Sequence, residues 1–111
     1  MATRRLEPSE WKAYFDTLCR ALPAAKVDIL VTGADIGAQP ETEGAPLLGL
    51  VWDPAAATFE IATADIAHRI ERPREIFVQE GPEGLLAIEV VDDQGHKQIA
   101  TLTRALTLPR A

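Results

Sequence analysis

The residues best suited to chemistry gather between Asp65 and Glu75, where the chain reads DIAHRIERPRE. His68 can exchange a proton near neutral pH. Arg69, Arg72 and Arg74 offer guanidinium forks that match a carboxylate or phosphate. If His68 to Glu71 is extended, His68 and Ile70 share one face and Arg69 and Glu71 the other. Ile70 then points to a core with His68 at its margin, where a carboxylate such as Asp65 would orient it as a general base. The commoner role of a histidine so placed is to pack and hydrogen-bond at a strand end. Glu71 and Glu75 lie among the arginines and are expected to neutralise them on a solvated edge. Charges and a proline on an edge strand also discourage sheet-to-sheet aggregation. Trp52 ends an apolar run, where it packs at the rim of the core or, alternatively, offers a ligand platform. Trp52, His68, Arg69, Arg72 and Arg74 are thus the candidate ligand-binding set. None of them is assigned a catalytic role.

The motifs that would sharpen this are missing from the chain. Gly33 and Gly37 are not followed by a phosphate-loop or dinucleotide pattern, and there is no CxxC, HExxH or nucleophile elbow. No metal and no cofactor is expected. Cys19, the single cysteine, directly follows Leu18 and reads as a small packing residue rather than a reactive thiol. His96 follows an Asp-Asp-Gln-Gly turn and reads as exposed and uncoupled.

The elements that must position these residues begin with Pro8 to Leu22, PSEWKAYFDTLCRAL. Trp11, Tyr14, Phe15, Leu18 and Leu22 recur at i, i+3, i+4, i+7 and i+11, one stripe of an amphipathic helix. Pro8 suits the first helical position, Glu10 and Arg20 complement the dipole, and Pro23 stops the helix. The aromatic cluster reads as core packing. Residues 1 to 6 read as a flexible arm tacked down by Leu6. Val27, Ile29 and Val31 alternate in a half-buried strand. Gly37 to Pro46 reads as a mobile loop, either a solvated hairpin tip or a flap. Leu47 to Trp52, LLGLVW, reads as a strand buried on both faces or a central one. Thr58 to Thr63 pairs with it across an Asp53-Pro54 turn, giving a three-stranded meander. Ala64 to Ala67 suits a turn of helix. His68 to Glu71, Ile76 to Gln79, Leu85 to Val91 and Lys97 to Thr103 read as further strands, with turns at Glu80–Gly84 and Asp92–Gly95.

At 111 residues, 47% hydrophobic and 25% charged, the chain reads as one globular domain spanning residues 1 to 111. Its net charge of −6 argues against nucleic acid or an anionic membrane as partner. No apolar run approaches the ~20 residues that cross a bilayer, and the N-terminus lacks a secretory pattern. One cysteine fits a reducing compartment, so the cytoplasm is expected. The fold class is α+β, with one N-terminal helix packed on a mainly antiparallel sheet of five or six strands. That sheet either twists strongly or curls into a partial barrel.

The phrases RRLEPSEWKAYFD, VTGADIGAQPE, PLLGLVWDP, HRIERPREIFV and IEVVDDQGHKQI span nearly the whole chain. In these it resembles a family of short bacterial proteins known only as a domain of unknown function. The resemblance implies a free-standing bacterial, cytoplasmic domain and transfers no active site. Two readings of function stand. The preferred one is a non-enzymatic interaction or accessory protein with an unknown protein partner or a tendency to self-associate. The alternative is a small-ligand binder or enzyme with a site near Trp52, His68 and the three arginines.

Overall fold

A computed structural model of the chain describes residues 2–19 and 25–106. The expected helix end at Leu22, the roles of Arg20 and Pro23, the packing of the Cys19 side chain and the closing Leu108 lie outside what is described.

The chain opens in β1 (Ala2–Leu6), passes a 3-10 turn (Pro8–Glu10) and enters α1 (Trp11–Cys19). The turn forms because Pro8 has no N–H to lose, while the Glu10 carboxylate accepts the free Glu7 N–H at 3.1 Å. Trp11, Phe15 and Leu18 are buried and Tyr14 is half-buried, so the apolar stripe does what its spacing implies. Phe15 meets Phe59 with ring centroids 4.7 Å apart, and Trp11 meets Trp52 edge-on at 5.0 Å. The buried Trp11 indole N–H donates to the Leu6 carbonyl at 3.1 Å, which ties helix to β1.

Seven further strands follow. They are β2 (Lys26–Gly33), β3 (Gly37–Asp53), β4 (Thr58–Thr63), β5 (Ala67–Glu71), β6 (Pro73–Gly81), β7 (Gly84–Asp92) and β8 (Lys97–Leu106). All pairings are antiparallel, in the order β1-β6-β7-β8-β2-β3-β4-β5. An α+β fold on an antiparallel sheet is therefore correct, but the sheet has eight strands rather than five or six, and the described helix has only 9 residues.

Two segments account for the extra strands. The expected arm is a strand over its described residues: Ala2 to Leu6 pair with Glu80 to Ile76, and Leu6 is fully buried. Gly37 to Pro46 is not a loop but the first half of the 17-residue β3, paired along β2. Its proline and glycine content is absorbed by irregular pairing. Pro40 stands opposite Leu30, and two register shifts interrupt the ladder. Gly44 sits at φ +64, where its N–H reaches the Asp28 carboxylate at 2.6 Å. Thr42 and Ala45 face inward and are buried. The second half of β3 leaves β2 and pairs with β4, so the sheet bends along this one strand. Between β4 and β5 there is no helical turn. The Thr63 hydroxyl donates to the Ile66 carbonyl and accepts the Asp65 and Ile66 N–H groups.

The run Leu47 to Trp52 is buried on one face only. Leu47 and Leu50 lie in the core, while Leu48 and Val51 are 61% and 48% exposed. The cause is layering: α1 covers one side of this part of the sheet and no described element covers the other.

The edge strand β1 is fastened by charge. Glu80 accepts the Arg4 guanidinium at 2.9 Å and the Tyr14 hydroxyl at 2.6 Å, and Arg4 reaches Glu10 at 3.3 Å. Burial opposes ionisation of Glu80. The bonds from Arg4 and Tyr14 together outweigh it and hold the carboxyl below the ordinary glutamate range. Burial, then the bond to Glu80, pushes the Tyr14 hydroxyl well above its ordinary value. The folded state thus takes up Glu80's proton less readily than the unfolded state, whose glutamate titrates near ~4.3. Stability from this group is present above that pH and is lost as pH falls through the lowered value. Tyr14 acts at the opposite end, where its contribution is lost as pH rises above about 10. Thermal melts between pH 2.5 and 6 should show a falling midpoint below about pH 4.5, and Glu80→Gln should flatten that fall. An unchanged slope in the variant would remove Glu80 from the acid transition.

Candidate functional site

β5 occupies one edge of the sheet and β6 lies next to the other edge, yet only Arg72 separates them in the chain. The sheet must therefore curl until its two ends approach. Arg72 makes the corner with φ +50, and its N–H donates to the Ala57 carbonyl at 2.8 Å. The seam is left open as a cleft of about 280 Å³, walled by Arg69, Glu71 and Arg72 on one side and by Asp92, Asp93 and Gln98 on the other.

Side chains bridge this seam. The His68 ring Nε2 lies 2.9 Å from the Gln98 amide oxygen, and the Gln98 amide nitrogen donates to Asp92 Oδ2 at 3.1 Å. A carboxylate only accepts, so Asp92 fixes which way the Gln98 amide points, and the amide oxygen is left for His68. His68 therefore donates from Nε2. Asp92 is itself held by the Gln94 and His96 N–H groups, each 2.9 Å from its Oδ1. His96 extends the chain outward, with Nε2 2.8 Å from Asp35 Oδ1 and Nδ1 3.8 Å from Asp92 Oδ2. His96 is thus coupled to two carboxylates, contrary to the expectation of an isolated side chain. Its hydrogen bond holds the Asp35 carboxyl below the usual aspartate range. Gly33 makes the approach possible, because a Cβ there would sit 2.5 Å from the ring.

The five candidate residues are divided by the fold. His68, Arg69 and Arg72 come to the seam. Trp52 packs against Trp11 under the helix, away from it. Arg74 is exposed at the start of β6 and makes no ion pair among the described residues. Ile70 points to the core with His68 at its margin, as alternation implies. Asp65 does not orient His68; Gln98 does. Nor do Glu71 and Glu75 neutralise the neighbouring arginines. Arg69 pairs with Glu60 at 3.3 Å, Arg72 with Asp93 at 2.9 Å, and Glu75 with Arg5 at 3.3 Å. Of these pairs Arg69 and Glu60 stand directly across a ladder, where side chains are closer than those two positions along one strand. Arg72 instead meets Asp93 at the corner before β6, and Arg5 meets Glu75 on a diagonal.

Gln98 and Asp92 had no place in the candidate set. Gln98 is 5% exposed and stands in phase with the inward residues Ala100 and Leu102 of β8. A glutamine at an inward position was the available signal. Nothing local pairs it with His68, thirty positions away.

Chemically, the cleft holds carboxylates, carboxamides and two guanidiniums that are already paired. None of the residues lining it is a serine, threonine or cysteine. Among the described residues no three His, Cys, Asp or Glu side chains cluster as a metal would require, and no helix is long and apolar enough to cross a membrane.

Residues 2–111 match the family described as a family of unknown function, DUF5335. The chain belongs to this family. It is also similar to an Aquifex aeolicus (strain VF5) protein described as uncharacterized, 41% identical over 110 residues that cover 98% of this chain and 99% of the relative. No solved structure matches the chain. The family match thus runs through β1 and the whole of β3.

Proposed function

We propose that this family member is a non-enzymatic interaction or accessory protein that acts as one globular domain in the bacterial cytoplasm. The observation that carries the reading is the exposed apolar pair Leu48 and Val51 on the outer face of β3, β4 and β5. Val51, Glu60 and Arg69 stand in one cross-strand row, and Gly49, Ala62 and Ala67 in the next. Small residues and a self-neutralised ion pair leave a flat surface around the two aliphatic side chains. Exposed apolar groups rimmed by polar ones suit protein contact.

Size separates a partner from self-association. Three strands spaced ~4.8 Å apart and about five residues long present roughly 250 Å². A standard interface uses ~800 Å² per partner, so this face alone favours a transient contact over a permanent dimer. The single cysteine supports the cytoplasmic setting.

A tagged chain passed through an extract of its source organism should retain a partner that a folded Leu48→Lys, Val51→Lys double variant loses. Equal retention by both proteins would dispose of this surface. The alternative, a small-ligand site at the seam, draws support from the cleft that gathers Arg69 and Arg72, with His68 behind Gln98. It is the weaker reading, because both guanidiniums are occupied and Trp52 and Arg74 lie elsewhere.

A further inference from the structure

We propose that the open edge of β5 takes up a short extended peptide segment as an added strand, with a basic side chain set against Glu71. The inference rests on the reading of this chain as an interaction module and specifies the kind of partner segment it would hold.

The backbone states which groups are available. Arg72 N–H donates to Ala57 and Thr63 N–H to the Ile66 carbonyl, both at 2.8 Å, while Phe59 stands opposite Ile70 and Ile61 opposite His68. Hydrogen-bonded and non-bonded pairs alternate along an antiparallel ladder. His68 and Ile70 therefore direct their N–H and C=O groups to β4, and Ala67, Arg69 and Glu71 direct theirs away from it. β5 has no strand on that side. Arg69 and Glu71 both line the seam cleft, so this edge faces a slot.

The slot selects its occupant. A second copy would bring its β5 with β4 behind it, and the turn between β7 and β8 walls the far side of the cleft. An isolated extended chain needs only the ~4.8 Å strand spacing and adds main-chain hydrogen bonds without a body behind it. Charge selects further. Arg69 and Arg72 are neutralised by Glu60 and Asp93, and Asp92 already accepts three hydrogen bonds. Glu71 is exposed and makes no ion pair among the described residues. On a chain of net charge −6, that wall favours a lysine or arginine in the segment and opposes an acidic one.

The test is a titration of the full ¹⁵N-labelled chain with three capped pentapeptides: Thr-Val-Lys-Val-Thr, its Thr-Val-Glu-Val-Thr twin, and the lysine peptide N-methylated at alternate residues. The lysine peptide should shift the Arg69 and Glu71 amides and slow their hydrogen exchange. It should bind at least about tenfold more tightly than its glutamate twin. Glu71→Lys should reverse that preference, and the N-methylated peptide should not bind. Equal binding of the N-methylated peptide, or shifts confined to other strands, would overturn the proposal. If no peptide moves these amides at millimolar concentration while partner capture still depends on Leu48 and Val51, strand addition fails and the interaction reading stands. If both are absent, both fail.

Discussion

Phe15→Ala is expected to destabilise the fold by about 3–5 kcal/mol, enough to consume much of the ~5–15 kcal/mol that holds a typical domain. Phe15 is fully buried and joins the helix to the sheet, its ring tilted against Phe59 with centroids 4.7 Å apart. Truncation removes the ring's burial and leaves a cavity between two layers, which the short α1 cannot close by sliding, because Trp11 is pinned to Leu6 and Tyr14 to Glu80. Urea denaturation at neutral pH measures the loss as a lowered midpoint with an unchanged slope. Lys12→Ala is the control. Its ion pair with Asp16 is exposed to solvent, so that change should stay within about 0.5 kcal/mol. A Phe15→Ala loss below about 1 kcal/mol would mean that the helix is not the cover of this core.

Gln98→Leu should cost about 1–3 kcal/mol although the side chains are of similar size, because it strands two partners at once. His68 Nε2 loses its acceptor and Asp92 Oδ2 loses its donor, both at the curled seam. The informative readout is not stability alone. Gln98 determines that His68 carries its proton on Nε2, so long-range ¹H–¹⁵N spectra should show that tautomer in the native protein and a mixture in the variant. Asp92 keeps its two backbone donors, so the turn after β7 should survive with its amide shifts nearly unchanged. An identical His68 tautomer pattern in both proteins would show that the bridge does not govern the ring.

The two experiments probe different levels of the same architecture. The Phe15 contact belongs to the layer that forms the core, whereas the Gln98 bridge belongs to the curl that brings β5 over β8. Among the described residues, His68–Gln98 and Arg72–Asp93 bridge the open seam and help to hold its shape. The proposed peptide slot lies between them, so any segment that enters would be felt first by these residues.

Much of this was written locally. The spacing of Trp11, Phe15 and Leu18 is enough for a helix with one buried stripe, and the alternation of Val27, Ile29 and Val31 is enough for a strand with one buried face. The same rule placed Ile70 in the core and His68 at its margin. Such patterns depend on neighbours within one turn or one strand, and they hold wherever the element ends up. Three features depended on partners distant in sequence. Ala2 to Leu6 is a strand because β6 supplies its pairing partner and the core buries Leu6, and Gly37 to Pro46 is a strand because β2 supplies its pairing partner. Leu48 and Val51 are exposed because one short helix covers only one face. The sequence by itself determined the helix, most of the strands and the mixed charge around His68. The tertiary structure alone decided which arginines met which carboxylates, because the partners come from elements distant in sequence: Glu60 stands opposite Arg69 on β4, and Asp93 follows β7 beside the Arg72 corner. It also decided that Gln98, rather than Asp65, would hold the histidine.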